Sequence, residues 1–108
     1  MNVVLYIRLP ILVSKEIKKQ EIEIENRLKF HSDWKIKKVF IEIESGLNTD
    51  DNIVLLEAIS YCKAYCIPVL VVRDSSRISR INNCFKKIIS VCDANDIRIW
   101  SCVDNRFL

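Results

Sequence analysis

The sequence of 108 residues contains a single glycine, Gly46. This scarcity excludes the glycine-rich phosphate loops of nucleotide-binding proteins, because the Walker loop and the dinucleotide fingerprint both need several glycines at fixed spacing. Histidine is equally scarce, with His31 alone, and no two cysteines have the Cys-x-x-Cys spacing of a zinc site. The composition therefore argues against nucleotide-loop chemistry and against a structural zinc site.

The chain has five cysteines, at positions 62, 66, 84, 92 and 102. Their odd number and irregular spacing predict reduced core residues, which places the protein in a reducing cytoplasm. Cys62 and Cys66 have the spacing of one helical face and offer an alternative as metal ligands. Two thiolates without further ligands make a poor site, so we favour the core interpretation.

Long apolar runs are also missing, since no stretch approaches the roughly 20 residues of a membrane span. The N-terminus, MNVVLYIRLPILV, differs from a signal peptide because Arg8 interrupts it and no small-residue cleavage site follows. With 50% hydrophobic and 29% charged residues, the sequence predicts one globular domain over residues 1–108. We expect no membrane partner, while a net charge of +3 permits a nucleic-acid partner without requiring one.

Apolar runs and helical patterns alternate along the chain. Strands are predicted at 3–8, 34–43, from 69 onward and at 97–102, and helices at 15 to about 32, about 52–65 and after 80. This βαβαβαβ order predicts an α/β fold of three layers, with a mostly parallel sheet of four to five strands and helices on both faces.

The polar residues collect where the predicted strands end. Arg8 ends the first strand, Glu42 to Gly46 follow the second, and Asp74 to Arg80 follow the third. Ligands of open α/β sheets bind at this carboxyl edge. Within VLVVRDSSRISR, Val69 to Arg80, Arg77 and Arg80 are close enough in sequence to converge on one anion, for which phosphate is the natural candidate. The alternative is a strand end with solvated charges.

Three motifs in this order resemble the catalytic domain of the serine recombinases, the resolvase and invertase family. They are YIR at Tyr6 to Arg8, SGLNTD at Ser45 to Asp50, and SSRISR at Ser75 to Arg80. The resemblance covers the chain from the first strand to the last. It implies a resolvase-like fold with flavodoxin-like strand order.

The resemblance also implies DNA strand cleavage and exchange through a phosphoserine intermediate, without a metal or other cofactor. Arg8, Arg77 and Arg80 would clamp the phosphate, with Gln20 and Ser76 as further phosphate-binding residues. Planar guanidinium groups suit this role because negative charge develops on the phosphoryl oxygens. The implied partners are DNA and further copies of the chain, as a dimer and, when active, a tetramer. The family's separate DNA-binding module has no counterpart within the 108 residues.

Two positions depart from the family pattern. Pro10 stands where the family has its nucleophilic serine, so that Ser14 is the candidate nucleophile after an insertion of four residues. Asp51 stands where the family has a phosphate-binding arginine. One hypothesis is therefore an active or once-active recombinase domain, and the alternative is a catalytically inactive interaction module that regulates an active relative. An unrelated flavodoxin-like domain with a small-molecule site is a third possibility.

Overall fold

Strands and helices alternate along the part of the chain that the structure describes. This computed structural model describes residues 1–9, 14–31, 33–43, 53–74 and 82–108. The elements are β1 (Asn2–Leu9), α1 (Ser14–Arg27) with a short 3-10 helix (Leu28–Phe30), β2 (Lys35–Ile43), α2 (Ile53–Ala64), β3 (Val69–Val72), α3 (Asn82–Ala94), β4 (Arg98–Ser101) and β5 (Arg106–Phe107). They confirm the predicted alternation, with boundaries that differ by a few residues.

The strands form one sheet in the order β2-β1-β3-β4-β5. Strand β1 is parallel to β2 and β3, β3 is parallel to β4, and β5 is antiparallel to β4. This is the flavodoxin-like order, so the predicted fold class is confirmed. The strand pattern in the sequence did not indicate β5, because two residues are too short for an alternation of apolar and polar side chains to be recognised.

Strand β1 lies at the centre of the fold, with helices on both faces of the sheet. Val4 and Tyr6 belong to the core layer that contains α2 and α3, whereas Leu5 and Ile7 face the layer of α1. Side chains that are buried on both faces explain why β1 reads as a nearly continuous apolar run.

The helices pack through one apolar side each. In α2 this side consists of Leu55, Ala58, Ile59 and Cys62, which are all buried. In α1, Ile24 is buried and Ile17 packs against the same layer. Among the helices in the described ranges, none has both the length and the apolar character needed to cross a membrane.

Helices α2 and α3 both end in a turn with a left-handed residue that is not glycine. Cys66 has φ 55° and Asp96 has φ 57°. The next amide in each case, of Ile67 and of Ile97, donates to the carbonyl oxygen five residues earlier, at 2.8 and 2.9 Å. This is the Schellman arrangement, in which glycine is the usual left-handed residue. Because glycine is scarce in this sequence, a cysteine and an aspartate take the left-handed position at the ends of α2 and α3, at a steric cost.

The cysteines only partly follow the sequence prediction. Cys62, Cys92 and Cys102 are buried, whereas Cys66 is exposed, and the side chain of Cys84 lies outside the described residues. The expectation of a core position is therefore wrong for Cys66. Nor do Cys62 and Cys66 share a helical face, because α2 ends at Ala64 and the left-handed turn redirects the chain.

Candidate functional site

The carboxyl edge of the sheet gathers charged residues from neighbouring strands. Because β1, β2 and β3 run parallel, Arg8, Glu42 and Arg73 all lie where these strands end. The crossover helices run back against the strands, so α1, α2 and α3 begin at this same edge. Helix N-termini carry partial positive charge, and the edge therefore favours an anionic ligand.

Arg8, at the end of β1, is a buried cation, with only 6% of its surface exposed. It lies two residues after Tyr6 along β1, so its side chain leaves the strand on the same face, which α2 and α3 cover. Its cross-strand neighbour in the parallel register is Glu42. A guanidinium stays charged at any physiological pH, and burying a charge is costly unless anionic or polar groups surround it. The position of Arg8 therefore suits the binding of an anion.

Tyr6 and Glu42 connect the ends of β1 and β2 to the start of α2. The Tyr6 hydroxyl donates a hydrogen bond to Glu42 Oε1, and the backbone N–H of Val54 donates to Glu42 Oε2 at 3.3 Å. Tyr6 is fully buried, and a buried phenol requires such a partner. The contact was not predicted from the sequence, although a tyrosine within an apolar strand is the signal that indicates a polar partner nearby.

Arg73 connects the end of β3 to α1. Its Nε lies 3.4 Å from Glu23 Oε1, and its Nη1 donates to Asp74 Oδ2 at 2.9 Å. Glu23 also lies 3.7 Å from Arg27 Nε within α1. About a third of the Arg73 side chain is exposed, so each of these pairs contributes at most about 1 kcal/mol. The pairs fix where the chain leaves β3, just before the SSRISR motif.

The predicted site residues are only partly described. Ser14 is the first residue of α1, and its backbone therefore lies at the carboxyl edge. Gln20 is half-buried, and its Oε1 is covered without a hydrogen-bond partner among the described residues. The other predicted or departing positions lie outside the described residues: Pro10, Asp51, Ser76, Arg77 and Arg80.

Gln20 and Arg8 belong to opposite sides of the sheet. Gln20 lies on α1, three residues after Ile17 and four before Ile24, both of which pack on the layer opposite to that of Tyr6. The roles assigned to Gln20 and to the arginine motif thus remain predictions. Within the described ranges, no three metal-ligating side chains cluster so as to hold an ion.

Comparison with protein families identifies the family to which this domain belongs. A family described as the resolvase N-terminal domain matches residues 3–107. The chain belongs to the resolvase family. Because the match spans nearly every residue, this resolvase domain is a recombinase-like domain. The resemblance of the three sequence motifs predicted this family.

Solved structures of serine recombinases share this fold. The C-terminal catalytic domain of ISC1926 TnpA, an IS607-like serine recombinase, is 22% identical with a TM-score of 0.72, over 94% of this chain and 67% of that one. The N-terminal catalytic domain of TP901-1 integrase is 14% identical with a TM-score of 0.74, over 99% and 81%. A resolvase family site-specific recombinase from Streptococcus pneumoniae is 18% identical with a TM-score of 0.70, over 99% and 75%.

At these identities the likeness concerns the fold. A search of curated protein sequences gives no match.

Proposed function

We propose that this resolvase domain binds a DNA phosphodiester at the carboxyl edge of the sheet and cleaves it by phosphoryl transfer to Ser14. In this reaction the Ser14 Oγ forms a bond to phosphorus while the bond from phosphorus to one deoxyribose oxygen breaks. The serine proton is lost and the leaving oxygen gains one. The phosphoserine ester keeps the energy of the broken bond for rejoining.

The observation that carries the proposal is the buried Arg8 at the end of β1. A guanidinium can donate two hydrogen bonds to one phosphoryl group, and it stabilises the charge that develops on the nonbridging oxygens. Arg77 and Arg80, which follow β3 in the sequence, would complete the clamp.

The position of Ser14 at the start of α1 also supports the reaction. The backbone N–H groups in the first turn of a helix have no partner within the helix, and they commonly bind phosphate. A phosphodiester attacked by Ser14 would meet these groups on one side and the arginine clamp on the other.

The experiment is covalent capture on nicked duplex DNA. The protein is incubated with a randomised library of such suicide substrates, which lose a short fragment after cleavage and so trap the intermediate. We expect a protein–DNA adduct on a denaturing gel, with mass spectrometry placing the nucleotide on Ser14. Ser14→Ala should abolish the adduct, while Ser90→Ala, a change at an exposed serine of α3, should leave it intact. An adduct that survives Ser14→Ala would contradict the assignment of the nucleophile.

The second candidate is a catalytically inactive interaction module, which Pro10 and Asp51 favour. In that case no substrate gives an adduct, and the domain instead associates with itself or with an active recombinase. Analytical ultracentrifugation of wild-type protein and Ser14→Ala would then show the same association. A Ser14→Ala variant that loses a measurable activity would exclude this candidate.

A further inference from the structure

The outward face of α1 carries a basic stripe that consists of Lys15, Lys18 and Lys19. All three lysines are exposed, and with Ile22 they line a groove of about 350 Å³. At 100° per residue, these four positions lie opposite to the side through which α1 packs on the sheet. The core therefore does not require the stripe.

Helix stability does not explain the stripe either. From Ser14 to Gln20, α1 has three lysines and one glutamate, and from Glu21 to Arg27 it has three glutamates and one arginine. The helix dipole favours the reverse order, by about 0.3–1 kcal/mol for each well-placed charge. No lysine of the basic stripe forms an ion pair with a described residue. The reason for this charge order must be sought outside the helix.

The basic stripe begins beside the candidate site. Lys15 follows Ser14 directly, at the edge where β1 ends, and the groove that the stripe lines runs from there about 10 Å along α1 to Ile22. We propose that this stripe binds the sugar-phosphate backbone of duplex DNA next to the phosphodiester that enters the site. The inference rests on the proposed function for the identity of its partner.

The chemistry of the stripe favours DNA over a membrane. Lysine is a flexible point charge whose aliphatic stem can lie along a deoxyribose, and it holds a phosphate without reading sequence. A helix that lies on an anionic membrane needs a broad apolar face, whereas the groove beside the stripe has a single apolar residue, Ile22, which is 51% exposed.

The experiment measures how DNA affinity depends on salt. Fluorescence anisotropy with a labelled 30-base-pair duplex gives the affinity between about 25 and 200 mM NaCl. All proteins carry Ser14→Ala, so that covalent capture does not contribute. Each lysine–phosphate contact adds about 0.9 to the slope of log K against log salt. The variant with Lys15, Lys18 and Lys19 changed to Gln should therefore lose roughly 2–3 from the slope, and about 10-fold or more in affinity at low salt.

The matched control removes the same charge from the other face of the sheet. Lys63, Lys86 and Lys87 are exposed on α2 and α3, and their joint change to Gln should leave the slope within about 0.5 of the parent. Equal losses in both variants would overturn the proposal, because net charge alone would then explain binding. An unchanged slope in the α1 variant would overturn it as well, as would stripe-dependent binding to vesicles with 30% anionic lipid but not to DNA. Circular dichroism verifies that each variant is folded.

Discussion

The two edges of the sheet are built by different means. At the amino edge, α2 and α3 end in the same backbone turn, with Cys66 or Asp96 in the left-handed conformation. At the carboxyl edge the contacts join side chains instead, from Tyr6 to Glu42 and from Arg73 to its two carboxylate partners. The hydrogen-bonding groups of the backbone turns are satisfied within the chain itself, whereas the buried guanidinium of Arg8 is not needed to close a helix or a strand.

This difference separates the requirements of folding from those of binding. The amino edge can be changed in its side chains as long as the left-handed turns form. Changes of Arg8 at the carboxyl edge should affect ligand chemistry out of proportion to their effect on stability. The predictions that follow test this separation, beginning with the largest expected effect.

Arg8→Lys should reduce the rate of covalent capture by at least about 100-fold. The substitution keeps the charge but removes the planar fork that holds two phosphoryl oxygens, and losing one such stabilising group typically costs a factor of 100 to 1000. The matched control is Arg98→Lys at the amino edge, where Arg98 is exposed and lies over the ring of Phe107. Single-turnover kinetics should show Arg98→Lys at the wild-type rate. Equal losses in the two variants would remove the distinction between the edges.

Alkaline pH should destabilise the amino-edge turns through their buried thiols. Burial raises the pKa of Cys62 to about 11 and that of Cys92 to about 12. A raised pKa in the folded state means that the stabilisation is complete below the unfolded pKa, near 9, and is lost as the pH rises towards 11–12. For Cys92 alone, the loss between pH 9 and pH 11 is about 2 kcal/mol.

Urea denaturation at several pH values checks this dependence. Cys92→Ala should be less stable than wild type at pH 7, but its stability should fall less steeply above pH 9. Ile88→Val, a change at a buried residue of α3 that cannot titrate, should keep the wild-type slope. The thiol explanation fails if Cys92→Ala retains that slope too.

Tyr6→Phe should destabilise the domain by about 1–2 kcal/mol. The change removes the hydrogen bond to Glu42 and leaves this carboxylate with the Val54 amide as its remaining described donor. Tyr65→Phe is the control, because Tyr65 is 64% exposed and its hydroxyl can bond to water. Thermal unfolding should shift by several degrees for Tyr6→Phe and hardly at all for Tyr65→Phe. Equal shifts would mean that the hydroxyl of Tyr6 contributes nothing specific.

The fold could be predicted from the sequence further than the site could. The apolar run of β1 and the stripe of α2 each reflect packing against neighbours that every α/β sheet supplies, and so their patterns are general. The contact of Tyr6 with Glu42 joins residues 36 positions apart. Such a pair depends on the parallel register of β1 with β2, which no local pattern specifies.

The left-handed turns show a second limit of the sequence. The end of α2 was predicted near Tyr65, but a cysteine at the position where glycine is usual gives no signal for a Schellman turn. At both edges the sequence predicts where polar and apolar residues lie. It does not predict the backbone conformation or the strand register that brings them into contact.

Cys66→Gly should stabilise the domain by about 0.5–1 kcal/mol, which is the smallest of these effects. Glycine adopts a positive φ without the steric cost that a side chain carries, although it loses more entropy on folding. Asp96→Gly should gain less, because aspartate tolerates the left-handed region better than cysteine does. Ala64→Gly, at the exposed last residue of α2, should instead lose up to about 1 kcal/mol. Urea denaturation separates the three variants, and covalent capture should proceed at the wild-type rate in all of them, since the turns lie at the edge away from Arg8. A stability loss in Cys66→Gly would show that its side chain, rather than its backbone conformation, determines how the turn is held.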